Sequence, residues 1–302
     1  MPGSRLLRPS ASAWAVAVGV VGLGALLAGR PEAKGASVPA NTNFAVHVAE
    51  LRKTVPKEFT IIEQGPFVVL GDESPELVRR RAENTVQWAV DKLKRDYFQR
   101  DPAETIDIWL FKDDESYRRH ARDLFNDKPT TPFGYYSPAH RALIMNISTG
   151  GGTLVHEIVH PFMRSNFPSC PAWFNEGLAS LYEQSTERHG RIRGETNWRL
   201  AGLQEAIRAG RILSFQKLTS LSDESFYGGN GNKNYSQFYA QARYLCYYLQ
   251  ERGLLVNYYR EFSTNASKDP TGYDSLKKVL GESDMDGFKK NWEAFVLKLK
   301  FR

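Results

Sequence analysis

From residue 58 onward, short apolar runs alternate with segments whose apolar residues recur at helical spacing. "EFTIIEQGPFVVLG" (58–71) puts β-branched and aromatic residues on both sides of Gln64-Gly65-Pro66, which predicts two short strands around a turn. A long helix follows: Ser74 is a natural N-cap, Pro75 suits the first helical position, and Leu77, Ala82, Val86, Ala89, Val90, Leu93 and Tyr97 keep the period. "TIDIWLF" (105–111) alternates like a strand, and "DDESYRRHARDLF" opens with acids and predicts a helix to about Phe125. "FGYYSPAHRALIMNI" reads as a hairpin turning near Ser137-Pro138, with Ala142 to Ile147 as its second arm.

Beyond the glycines at 150–152 the pattern turns helical. Helices are expected near 152–165, 172–184, 197–209, 234–252, 254–263 and 284–299, with the glycine- and asparagine-rich "YGGNGNKN" leading into the fourth. No internal repeat, low-complexity tract or long linker divides the chain. The expected architecture is therefore α+β: one domain over 41–302, with a mixed-sheet lobe over 41–165 that ends in the helix after those glycines and a mostly helical lobe over 166–302.

The first forty residues break this pattern. Arg5 and Arg8 precede an uncharged, mostly apolar run from Ala11 to Ala28, and small residues follow; this is a secretory signal pattern. The run at 11–28 is also about long enough to anchor the chain in a bilayer, and Val38-Pro39-Ala40 offers a cleavage site. Either way the domain is expected outside the cytoplasm.

Hydrophobic residues at 41% and charged residues at 25% describe an ordinary globular chain. Leaving out residues 1–40 removes four basic residues and one acidic residue, so the formal charge falls from +6 to +3. The remaining basic residues are interleaved with acids, as in "DKLKRD", which argues against a nucleic-acid partner. Cys170 and Cys246 make an even count in an expected oxidising compartment, which permits a disulfide or two buried thiols.

Against this background one stretch stands out. In "GGGTLVHEIVHPFM" (150–163) His156, Glu157 and His160 interrupt a segment that is otherwise built to be buried. Histidines four apart share one helical face, close enough to hold one ion, and the intervening glutamate reaches water at an open coordination position. Zinc brings the pKa of such a water to about 7, so a glutamate can take its proton near neutral pH and later give it to a leaving amine. Pro161 lacks the N–H that would bond the Glu157 carbonyl, and it predicts a kink at His160. The glycines lack the lysine and hydroxyl residue of a phosphate loop and serve to turn the chain from strand to helix.

"PAWFNEGLASLYE" (171–183) repeats the anomaly, with Glu176 inside an apolar helix. Two imidazoles and one carboxylate complete a zinc site with a free fourth position. The metzincin pattern is excluded, because positions 163 and 166 hold Met163 and Asn166. "HEIVH" followed by "PAWFNEGLAS" resembles the gluzincin metallopeptidases, in particular the peptidase MA-like families of exported bacterial proteins with a W-x-x-E-G-x-A second helix. That resemblance implies a zincin-like fold and one Zn²⁺ held by His156, His160 and Glu176, with Glu157 as general base. It also implies a tyrosine, here Tyr239 in "FYAQARYL", facing the metal as oxyanion donor. Thermolysin-like enzymes orient a histidine with an aspartate four residues past the glutamate ligand; Ser180 stands there, so that partner is unassigned. No G-x-M-E-N element supports an aminopeptidase.

The function expected from these residues is an exported zinc-dependent hydrolase, an endopeptidase in class, acting on peptide or protein. An extended substrate is expected to pair with the arm Ala142 to Ile147. The rivals are a non-catalytic zinc-binding interaction module on the same scaffold and an exported carbohydrate-binding or interaction protein with no metal.

Overall fold

The computed structural model describes residues 40–228 and 235–301, with side chains from Phe44 onward. The leader and its apolar run at 11–28 lie outside the described residues, as does most of the "YGGNGNKN" loop. Among the described residues no helix is long and apolar enough to cross a membrane.

Helix α1 (Ala40–Thr54) precedes the two strands expected around Gly65-Pro66, β1 (Thr60–Gln64) and β2 (Phe67–Gly71). The long helix starts where Ser74 and Pro75 predict, and the Ser74 side chain accepts a bond from the Leu77 amide at 3.4 Å. It runs as α2 (Pro75–Arg81), a π-type turn (Ala82–Gln87) and α3 (Trp88–Asp96). Strand β3 (Ile106–Phe111) leads to α4 (Asp114–Phe125), capped by the Asp113 side chain at one end and by left-handed Asn126 at the other. The hairpin β4 (Gly134–Ser137) and β5 (Ala142–Asn146) completes the sheet.

Its order is β1-β2-β3-β5-β4, with β2, β3 and β5 parallel and the two edge strands antiparallel. This corrects the expectation that Ala142 to Ile147 offers a free edge. β5 is bonded to β3 on one side and β4 on the other, so the edge on that side is β4.

Both faces of the sheet are covered, which is why its inner strands read as near-continuous apolar runs. Phe67, Val69, Ile108, Leu110, Leu143 and Met145 face the larger core, which continues without a break into the helical half as far as Val296. Val68, Leu70, Trp109, Phe111 and Ile144 face a smaller core under α1 and α4. His47 of α1 meets Asp107 of β3 at 2.7 Å beside it.

After β5 the chain is mostly helical: α5 (Gly152–Asn166), α6 (Ala172–Leu181), α7 (Arg199–Arg208), α8 (Phe215–Thr219), α9 (Asp223–Phe226), α10 (Tyr235–Glu251), α11 (Leu255–Asn265), α12 (Tyr273–Leu280) and α13 (Met285–Lys298). Between α6 and α7 lies a hairpin that the apolar pattern does not announce, β6 (Ser185–Arg188) and β7 (Arg191–Gly194). The architecture is thus α+β, with a five-stranded mixed sheet early and helices late.

Helices α6 and α10 pack so closely that a Cβ on Gly177 would sit 3.1 Å from the Ala242 carbonyl and the Cys246 sulfur. That approach accounts for the glycine directly after Glu176. The disulfide considered for Cys170 and Cys246 is not formed; both are free thiols. Cys246 is spent filling the α6–α10 contact, while Cys170 turns to the Pro171 carbonyl at 3.6 Å; burial pushes both thiols up.

Candidate metal centre

Helix α5 runs through Pro161 without interruption from Gly152 to Asn166. The expected kink does not remove His160 from its face: the His156 and His160 rings lie 4.9 Å apart, nearly perpendicular. Helix α6 crosses beneath them and brings Glu176 to both, with Oε2 at 3.3 Å from His156 Nε2 and Oε1 at 3.9 Å from His160 Nε2. One donor atom from each of His156, His160 and Glu176 falls within 4.8 Å of the other two. The three residues assigned from sequence as ligands therefore converge. His156 and Glu176 are almost wholly buried, and His160 is partly open.

The imidazoles are also held from behind. His160 Nδ1 is 3.0 Å from the Asn175 side-chain oxygen, and His156 Nδ1 is 3.4 Å from Glu183 Oε1. Glu183, two residues past the end of α6, takes the place left open by Ser180, whose hydroxyl instead bonds the Glu176 carbonyl. Arg199 grips Glu183 with two bonds, at 2.7 and 3.1 Å, and Asn197 adds a third at 3.0 Å. Tyr227 donates to Glu176 Oε1 at 3.0 Å. Sequence reasoning missed Asn175, Glu183, Arg199 and Tyr227. Only Glu183 had a signal, as an acid closing an apolar helix.

Three buried polar atoms in this cluster lack a hydrogen-bond partner: His156 Nδ1, Glu176 Oε2 and the Tyr239 hydroxyl. The 3.3 and 3.4 Å contacts of His156 are thus charge contacts without hydrogen-bond alignment. Unpaired buried polar atoms are costly, and an N, N, O set around a common gap is the donor chemistry that a zinc ion takes.

The electrostatics agree with a cation site. Burial opposes the charged form of His156, but the facing carboxylates of Glu176 and Glu183 outweigh it and lift the ring to about 10. Burial raises Glu183, yet Arg199 and His156 bring it down to about 2. Burial likewise raises Glu176, and His160, His156 and Tyr227 together pull it below its ordinary value. Without an ion, a proton on His156 does the neutralising that a cation otherwise does.

Glu157 lines a cleft of about 820 Å³ together with His156 and Glu183. Tyr239 on α10 is buried, its ring 5.5 Å from the Arg199 guanidinium. Burial and then the charge of Glu176 drive its pKa well up, with Glu157 adding to the effect, so the hydroxyl keeps its proton.

The centre is assembled over a tight contact. A Cβ on Gly152, the first residue of α5, would lie 2.0 Å from the Glu183 carbonyl oxygen. No protein-family model matches the chain, and no curated protein matches its sequence.

Proposed function

We propose that the chain is an exported, zinc-dependent peptide-bond hydrolase of gluzincin type. The observation that carries this reading is the convergence of His156, His160 and Glu176 donor atoms within 4.8 Å, two of those residues buried and left with unpaired polar atoms. A zinc ion held there would act as a Lewis acid and acidify a water molecule.

The protein's own groups supply the rest. Glu157, which lines the cleft, takes the proton of the attacking water and passes it to the departing amine. Tyr239, protonated and without a partner, donates to the carbonyl oxygen as it gains charge. Tyr227 holds Oε1 of Glu176, Asn175 fixes the His160 ring, and Glu183 sets a negative charge 3.4 Å behind His156 Nδ1. β4 ends the sheet, and Gly134 at its start lines the cleft, so an extended substrate can add to this edge through backbone bonds.

Elemental analysis of the purified domain, beside His156→Ala and Glu176→Ala, tests the centre: about one zinc per wild-type chain and none in the variants is expected. Glu157→Gln should keep the metal and lose at least about 10²-fold in peptide hydrolysis. Undiminished hydrolysis by that variant refutes the mechanism, and metal without turnover in the wild type points to a binding module.

A further inference from the structure

The cleft that receives Glu157 has an unusual wall. Among the described residues only four large hydrophobic side chains are exposed, namely Val46, Trp198, Leu297 and Phe301, and two of them, Trp198 and Phe301, line this cleft. Trp88 and Phe133, each partly exposed, line it as well. Aromatic faces left in water at the mouth of a site mark where an apolar partner gains by covering them.

The Trp88 ring, and the backbone beside Trp198 and Phe301, are held in place. The Trp88 indole N–H donates to Glu187 of the β6–β7 hairpin at 2.9 Å, which fixes the ring and uses its one polar atom. Trp198 stands at the N-terminus of α7, between Asn197, whose amide is held by the Tyr244 hydroxyl at 3.1 Å, and Arg199, which grips Glu183. The backbone just before Phe301 is tied down at three carbonyls. Gln204 donates to the Val296 and Leu299 carbonyls at 2.9 and 3.0 Å, and Thr196 donates to the Lys300 carbonyl at 2.9 Å.

The charges in the cleft are equally selective. Among the described residues its ionisable lining groups are His156, Glu157 and Glu183, and no lysine, arginine or aspartate lines it. An acidic substrate side chain would meet two carboxylates and no cation. A basic one would find Glu183 already committed to Arg199 and Glu157 needed for proton transfer. The other polar lining side chains are neutral amides and hydroxyls, such as Asn84 and Gln184, and Val155 adds an apolar one. At about 820 Å³ the cleft is within the range of ligand sites and takes a bulky side chain with its flanking backbone.

We propose that this cleft binds a bulky uncharged side chain of the peptide substrate, aromatic or branched aliphatic, against Trp88, Trp198 and Phe301. The inference rests on the hydrolase reading for its substrate class, and its test separates the two. Blocked pentapeptides Ala-Ala-X-Ala-Ala, with X as Phe, Leu, Ala, Glu or Lys, are titrated against zinc-loaded Glu157→Gln, with tryptophan fluorescence or calorimetry as readout. The same peptides are then offered to the wild-type protein for hydrolysis.

The Phe and Leu peptides are expected to bind at least about tenfold more tightly than the others. That advantage should shrink to within about threefold when Trp198→Ala or Phe301→Ala is added, and should persist with Val46→Ala, which removes an exposed apolar side chain elsewhere. Melting curves of the variants check that the fold is intact. Preferential binding of Phe without hydrolysis by the wild type would sink the hydrolase reading and leave this one standing. Equal hydrolysis of all five peptides would do the reverse. Equal binding, no binding, a preference for Glu or Lys, or a Phe preference that survives both cleft substitutions overturns the inference, as would tight binding of a neutral oligosaccharide with none of the peptides bound.

Discussion

Gly152→Ala is the smallest change that reaches the candidate centre without touching any group in it. The added methyl carbon would fall 2.0 Å from the Glu183 carbonyl oxygen, whereas ordinary contact begins near 3.4 Å, so α5 and the end of α6 must part by the difference, about 1.4 Å. Backbone faces backbone there, and no side chain can swing aside. Overpacking of this kind costs about 1–3 kcal/mol, and alanine's better helix propensity returns at most about 1 kcal/mol at a helix start. The net loss is about 1–2 kcal/mol, or a fall of about 2–8 °C in Tm for a domain of this size.

The same shift carries Glu183 away from His156 Nδ1, already at 3.4 Å, and loss of such an orienting carboxylate costs about 10–100-fold in metal affinity. Calorimetric melting and zinc titration against a competing chelator read the two effects. Gly202→Ala is the internal standard: that glycine lies exposed within α7 with open space around it, so alanine should raise Tm slightly and leave zinc affinity unchanged. If Gly152→Ala melts with the wild type and binds zinc as tightly, the coupling of α5 to Glu183 is wrong.

Three further substitutions probe separate parts of the molecule. Tyr239→Phe removes a buried hydroxyl that has no partner, so stability should hold or rise by up to about 1 kcal/mol while kcat falls about 10²–10³-fold; an unchanged kcat ends its role as oxyanion donor. Arg243, wholly buried on α10, donates to the Ser180, Leu181 and Glu195 carbonyls; Arg243→Met should lower stability by about 2–5 kcal/mol, and an unmoved urea midpoint would refute that account. Burial raises Asp107 above its ordinary 3.8 in spite of His47 and Arg141, so its stabilising protonated form is complete below that value and lost as pH rises through the raised one. Asp107→Asn should therefore melt higher than wild type at pH 7 and equally at pH 3, and a gain that is the same at both pH values contradicts this.

Much of the fold, and the residues of the candidate centre, could be picked out because the signals are local. Ser74 with Pro75, the acids that open "DDESYRRHARDLF", and two histidines four apart each specify geometry within a few residues. What escaped depends on distant partners. Glu183 gains meaning only where Arg199 and Asn197 reach it from beyond a hairpin, and the edge position of β4 follows from β5 pairing with β3. The β6–β7 hairpin hides because Ile192 is its one fully buried apolar side chain, although His189-Gly190, both at positive φ, form a tight hairpin turn that an X-Gly pair can signal. Helix α1 begins at Ala40, inside the stretch read as leader.

The crossing of α5 and α6 also bears on the order in which the protein is built. All three proposed ligands, together with the Asn175 and Glu183 groups behind the rings, belong to one uninterrupted stretch from His156 to Glu183. Tyr227 and Tyr239 arrive later in the chain, by way of α9 and α10. Contacts between chain neighbours close with little entropic loss and form early, whereas those that span a long loop wait for the rest of the fold. The three proposed ligands can thus come together while the helical half is still incomplete. The part proposed for Tyr239 has to wait until α10 docks against Gly177.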